Sequence, residues 1–132
     1  MNRRYSIRNK ARFRQVRQQG TSHPHPLLVL CYLPNGETIS RCGFTVSRRI
    51  GGAVERNRAR RRMSEAVRLL WDMVAPGWDL VWIARPGIKD VEFSELQSAC
   101  ARLLRRARLL RASIRESDRE SDRVTNGEAD AP

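Results

Sequence analysis

Apolar residues recur along the chain in two rhythms, one near 3.6 residues and one of 2, and the changes of rhythm mark its elements. From Asn9, Phe13 and Val16 stand three apart among Lys10, Arg12, Arg14 and Arg17, and Gly20 ends the pattern. This predicts a short helix, marginal alone, that must lean on something through Phe13. Leu27 to Leu33 is an apolar run bounded by prolines, as in a strand covered on both faces. Pro34-Asn35-Gly36 is turn chemistry. Arg41 to Ser47 then alternates, Cys42, Phe44 and Val46 against Arg41, Gly43, Thr45 and Ser47, which predicts a hairpin with one polar face. Ala59, Met63, Ala66, Val67, Leu70 and Val74 form one helical stripe, stopped by Ala75-Pro76-Gly77. Asp79 to Ala84, with Trp82 and Ile83, reads as a buried strand. Ser94-Glu95-Leu96-Gln97 fits a capping box opening a last helix whose inner face carries Leu96, Ala99, Cys100, Leu103, Ala107 and Leu110.

The order αβ(β)βαβα predicts an α+β fold: a single-domain two-layer sandwich with a central, mostly antiparallel sheet packed by helices. At 132 residues the chain is long enough for one core and too short for two. The domain is expected over 9–112. Residues 1–8 are polar and basic and are expected to be flexible. Residues 113–132 lack an apolar rhythm and hold the tandem Arg115-Glu116-Ser117-Asp118 and Arg119-Glu120-Ser121-Asp122, so an acidic disordered tail is expected there.

Charge changes the picture most. The formal net charge is +12, and the tail is net acidic, so the domain itself is still more basic. Such a domain repels itself unless a polyanion neutralises it, and nucleic acid is the default polyanion. Cys31, Cys42 and Cys100 match neither a zinc module nor a disulfide framework, and each sits in an apolar pattern, which reads as core in a reducing cytoplasm. His23 and His25 share one proline-rich loop, Thr21 to Pro26, without acids or cysteines nearby, so no metal site is expected there. No apolar run reaches the length of a membrane span, and no signal-peptide core follows the first arginines.

The charge concentrates where the second helix begins. Between Arg48 and Arg62 stand seven arginines (48, 49, 56, 58, 60, 61 and 62) against one acid, Glu55. A helix N-terminus carries partial positive charge and unpaired N–H groups, so arginines there are unfavourable without a ligand, and a bound phosphate reverses the sign. Gly51 and Gly52 allow a close-approaching backbone just before it.

Gly51, Ala53-Val54, Arg56-Asn57-Arg58, Arg60-Arg61 and Glu65 to Arg68, after Thr45-Val46-Ser47 and a basic pair, resemble the signature of the bacterial ribonuclease P protein component. The resemblance extends in order and spacing from about Arg8 to Arg108, through Leu33-Pro34-Asn35-Gly36 and Val81-Trp82-Ile83-Ala84-Arg85-Pro86. Ser64, where the family usually has a basic residue, and Gly52 depart from it. The resemblance implies a left-handed βαβ crossover, against the right-handed rule. It also implies a subunit that binds the catalytic RNA of ribonuclease P and the 5′ leader of precursor tRNA, supporting Mg²⁺-dependent removal of that leader in the cytoplasm. The Mg²⁺ would be held mainly by the RNA, with no obligate protein partner and no membrane.

Carried onto this sequence, the resemblance places RNA-subunit binding at Arg48, Arg49, Arg56, Asn57, Arg58, Arg60, Arg61 and Arg68. Leader binding falls to Arg12, Phe13, Arg17, Cys31 and Tyr32. Arg17 stands in the place of a second cleft aromatic and Cys31 in that of a common strand tyrosine, while neighbouring Tyr32 should face the other way. Leader binding is therefore expected to rely more on charge than on stacking and to be salt-sensitive.

The chain's own chemistry is poor: its acids before the tail are scattered, and hydrolysis of a phosphodiester needs a carboxylate-held metal or an acid/base pair. No catalytic residue is expected. The alternative is a structural, ribosomal-type protein that binds folded rRNA. A helix-turn-helix module fails on pattern, since the basic helix lies between strands.

Overall fold

The computed structural model describes residues 3–111. Lys10–Gln19 form α1, Thr21–Pro24 β1, Leu28–Pro34 β2, Arg41–Thr45 β3, Ala53–Arg68 α2, Trp78–Ala84 β4 and Phe93–Arg106 α3. The strands make one sheet in the order β1-β2-β4-β3. β2 is antiparallel to both β1 and β4, and β3 lies parallel to β4 across the α2 crossover.

This sheet corrects two expectations. The stretch expected as a histidine loop is strand β1, which pairs Thr21 with Tyr32 and Pro24 with Val29. The expected hairpin of β2 with β3 does not form, because β4 inserts between them. The reason is burial: β2 and β4, apolar on both faces, take the central places, while polar β1 and half-polar β3 take the edges. Pro24, which lacks an N–H, is tolerated on an edge strand.

Alternation sends the side chains of each central strand to two cores. Leu28, Leu30, Leu80, Trp82 and Ala84 join Met63, Ala66, Val67, Leu96, Cys100 and Leu103 beneath α2 and α3. Cys31 and Val81 join Val16 and Ile7 beneath α1, with Phe13, Val29, Leu33 and Ile83 packed on them. The sheet is thus covered on both faces, and α1 finds there the support it lacks alone. Asn9 caps α1, its Oδ1 accepting from the N–H groups of Ala11 at 2.8 Å and Arg12 at 3.1 Å. The segment expected to be flexible packs from Arg3 onward: Arg3–Tyr5 make a 3-10 turn, Ser6 bridges Cys42, and Ile7 is buried.

Helix ends also shift. α2 stops at Arg68, short of the glycine-proline signal, and a 3-10 turn at Trp71–Met73 follows. Leu70 and Val74 stay buried, but the backbone at Val74 pairs with Leu110 instead of continuing the helix. α3 begins at Phe93, so Ser94 lies inside its first turn and the expected capping box does not form. Arg108, at φ 63°, turns the chain out of α3, so Leu109 and Leu110 reach the core by a non-helical path. The acidic tail lies outside the described residues.

Candidate nucleic-acid interface

The start of α2 is built from the backbone outward. Gly51 has φ 145°, and a Cβ there would lie 1.9 Å from Glu55 Oε1, so only glycine lets Glu55 fold back over the turn. Glu55 Oε1 accepts the Gly52 N–H at 3.0 Å, and its other oxygen meets Lys89 Nζ at 3.3 Å. The Gly52 N–H bond first, and Lys89 next, hold its carboxyl below the usual range. The one acid of the segment is therefore occupied locally.

Its arginines divide. Arg48, Arg49, Arg58 and Arg61 are exposed, and their side chains have no hydrogen bond or ion pair among the described residues. Arg56 donates to the Gly51 carbonyl at 2.9 Å, Arg60 to Asn57 Oδ1 at 3.2 Å, and Arg68 forms a half-exposed pair with Glu65 at 2.6 Å. Such surface bonds contribute little and exchange readily for a stronger anion. Arg62 instead turns inward, donating to the carbonyls of Ile88 and Val91, and fastens α2 to the segment before α3.

On the other face, α1 approaches the sheet so closely that a Cβ on Gly43 would lie 2.4 Å from Phe13 Cε2. The half-buried Phe13 ring lies over β3 and forms part of a groove of about 530 Å³, with Ile7, Arg8, Lys10, Arg14 and Arg17 around it. Of the five expected leader residues, the groove contains Phe13 and Arg17. Cys31 is buried beneath α1. Tyr32 packs in the opposite core, its hydroxyl 2.9 Å from His23 Nε2 and its ring edge-on to Trp78. Arg8, Lys10 and Arg14, which sequence reading left out of the site, line the groove. Their signal was the i, i+4 spacing of Lys10 and Arg14 along the outer face of α1.

Arg12 is drawn inward by a residue the sequence did not single out. Asp79, fully buried, accepts from Arg12 Nε at 2.7 Å, Asn35 Nδ2 at 2.9 Å, Arg41 Nε at 2.9 Å and Arg41 Nη2 at 2.8 Å. Burial pushes its carboxyl up, but the bonds from Arg41, Asn35 and Arg12 outweigh that and hold it below the ordinary range. Arg12 also donates to the Pro34 carbonyl at 2.9 Å and to Gln15 at 3.0 Å. The cluster ties α1, the β2–β3 connection, β3 and β4 together.

No group of three His, Cys, Asp or Glu side chains among the described residues is arranged to hold a metal. Burial pushes the thiols of Cys42 and Cys100 up to about 12, so both are inert core atoms.

Residues 1–108 match the model of the family described as Ribonuclease P. The chain belongs to the ribonuclease P protein family. The ribonuclease P protein component of Roseiflexus castenholzii is 46% identical over 118 residues, covering 89% of this chain and 97% of that protein. That of Chloroflexus aurantiacus is 48% identical over 118 residues, covering 89% and 87%. The solved RNase P protein of Staphylococcus aureus superposes with a TM-score of 0.73 at 26% identity, covering 80% of this chain and 97% of that one. The protein from Thermotoga maritima superposes with 0.70 at 28%, covering 76% and 96%. Membership in the ribonuclease P protein family makes the chain the protein part of an RNA-based endonuclease of tRNA processing, which agrees with a surface rich in guanidinium groups and poor in acid/base pairs.

Proposed function

We propose that the start of α2 and the turn before it hold phosphates of the catalytic RNA, and that the groove beside α1 receives the single-stranded 5′ leader of precursor tRNA. One observation carries this reading: the exposed arginines at Arg48, Arg49, Arg58 and Arg61, whose side chains have no partner among the described residues, and the cations around Phe13 form two basic surfaces, and the acids Glu55 and Asp79 are already engaged. Guanidinium forks suit phosphate geometry. Arg56, Asn57, Arg60 and Arg68 would exchange their weak internal bonds for phosphate oxygens.

In the groove, Phe13 offers one face for a base, and Arg8, Lys10, Arg14 and Arg17 follow the backbone. Arg12 and Cys31 support this wall from within, and Tyr32 serves the opposite core. The family implies Mg²⁺-dependent RNA catalysis. We place that ion with the RNA, and the protein's part is to bring phosphates together and neutralise them. Among the described residues no helix is long and apolar enough to cross a membrane. As a partner of the catalytic RNA, the protein is placed with it in the cytoplasm.

The test is cleavage of precursor tRNA by a bacterial ribonuclease P RNA at low Mg²⁺. Wild type should restore cleavage. Arg58→Ala/Arg61→Ala should bind the RNA about tenfold more weakly. Arg14→Ala/Arg17→Ala should spare RNA affinity and lose the gain that a longer leader gives. No restoration by wild type, with tight binding to rRNA fragments, would favour the ribosomal-type alternative and reject the reading.

A further inference from the structure

A third set of arginines lies outside both surfaces. Arg102, Arg105, Arg106 and Arg108, at the end of α3 and just past it, are exposed, and their side chains make no hydrogen bond or ion pair among the described residues. Arg102 is three and four residues from Arg105 and Arg106, so these three share one outward side of the helix. That side adjoins the edge strand β1. Arg106 is near enough to His23, and Arg102 to His25, to add to the effect of burial in disfavouring the charged imidazole. A groove of about 400 Å³ runs between the β1–β2 connection and α3, with His25, Ser94, Ser98 and Arg102 on its walls and Glu95, in the first turn of α3, its one acid. Arg85, also exposed, reaches the His25 carbonyl at 3.4 Å.

The helix dipole accounts for Arg105 and Arg106 in the last turn by a weak attraction. It does not account for Arg102, a turn earlier, or for two histidines set against arginines. We infer that the end of α3 and the edge strand β1 form a third RNA-binding surface, which takes backbone phosphates through Arg102, Arg105 and Arg106 with His25 at its border. The inference rests on the reading that the chain works bound to RNA. An acidic protein would match the same charges, but a protein interface needs apolar anchors at its centre. Among the described residues the exposed large hydrophobics are Val54 and Leu69, on α2 and at its end and not on this surface. The groove itself has an apolar lining at Pro26, Leu27 and Ala99, but the helix side beyond it offers only guanidinium donors, Arg105 and Arg106 with Arg102 on the groove wall, and the partner that binds through these alone is a phosphodiester backbone.

The experiment uses the full chain with a bacterial ribonuclease P RNA and precursor tRNA, read by affinity at several salt concentrations and by hydroxyl-radical protection of the RNA backbone. Arg102→Ala/Arg105→Ala/Arg106→Ala removes exposed, unpartnered side chains in favour of a strong helix former, so the thermal midpoint of the free protein should hold. The triple variant should bind about tenfold more weakly near 0.2 M salt, and its log–log salt slope should flatten by about 2, at 0.7 to 0.9 per phosphate lost. A protected patch should vanish that Arg58→Ala/Arg61→Ala leaves in place. His23 and His25 are the chain's two histidines and serve as reporters: bound phosphate should raise the pH at which His25 titrates, in wild type and not in the triple variant. Wild-type affinity, slope and protection in the triple variant, beside weakened binding by Arg58→Ala/Arg61→Ala, would overturn this inference and leave the proposed function standing. Wild-type binding by both variants would overturn both. An unchanged RNA footprint with weakened binding of polyglutamate would assign the surface to an acidic protein and overturn the inference as well.

Discussion

Asp79 carries more of the structure than any other single side chain near the groove. Its carboxylate is fully buried and accepts four hydrogen bonds from three residues, so removing its charge leaves Arg12 and Arg41, themselves partly buried, facing a neutral group. Asp79→Asn should destabilise the fold by about 3 kcal/mol, measured by urea unfolding at neutral pH. Because the folded carboxyl is held below its ordinary range, its contribution is present above the unfolded Asp value, about 3.9, and is lost as pH falls through the lower folded value. Wild type should therefore lose stability below about pH 4, and Asp79→Asn should show a flatter profile there; parallel acid profiles would refute this. Gly43 makes the second residue-scale case. A methyl group there meets the Phe13 ring, so Gly43→Ala should cost about 1 to 3 kcal/mol, and the cost should largely disappear in a Phe13→Ala background, as a double-mutant cycle would reveal.

At the scale of elements, the start of α2 depends on a turn that only glycine makes. Gly51→Ala combines a strained positive φ with a collision at the Glu55 carboxylate, so about 1 to 3 kcal/mol of stability should be lost. Affinity for the RNA should fall with it, since the arginines on either side lose their common placement. Gly52→Ala, where a Cβ would meet open space, is the control and should be mild in both assays. Equal effects of the two changes on RNA binding would argue against a shaped turn. The same scale shows why the topology was hard to read. Pro34-Asn35-Gly36 was rightly a turn, but a turn motif does not reveal which strand its exit will join. Asn35 spends its side chain on the Ile39 carbonyl and Asp79, carrying the chain past β4 instead of back along β2.

At the scale of the whole molecule, a net charge of +12 sets how the protein meets RNA, and the structure divides that charge among separate faces. With Phe13 the one aromatic in the α1 groove and Arg8, Lys10, Arg14 and Arg17 around it, leader binding should be dominated by charge. The log–log salt slope for a leader-bearing substrate, relative to one without a leader, should steepen by about 2 to 3, at roughly 0.7 per phosphate of a single strand. A slope independent of the leader would place leader recognition elsewhere.

The helices, the double-sided apolar character of β2 and β4 and the basic start of α2 were legible because they depend on neighbours in the chain: periodicity and local charge. The order of residues alone also contained the signature by which the family was suspected. What only the tertiary structure decided depends on distance in space. Insertion of β4 between β2 and β3, the second core beneath α1, the withdrawal of Arg12 from the groove by Asp79 and the meeting of α3 with β1 join segments far apart in sequence. A side chain's chemistry is local, whereas its availability to a ligand is settled by the partner that folding brings to it: Arg12 is committed to Asp79, and Arg102 remains open to solvent.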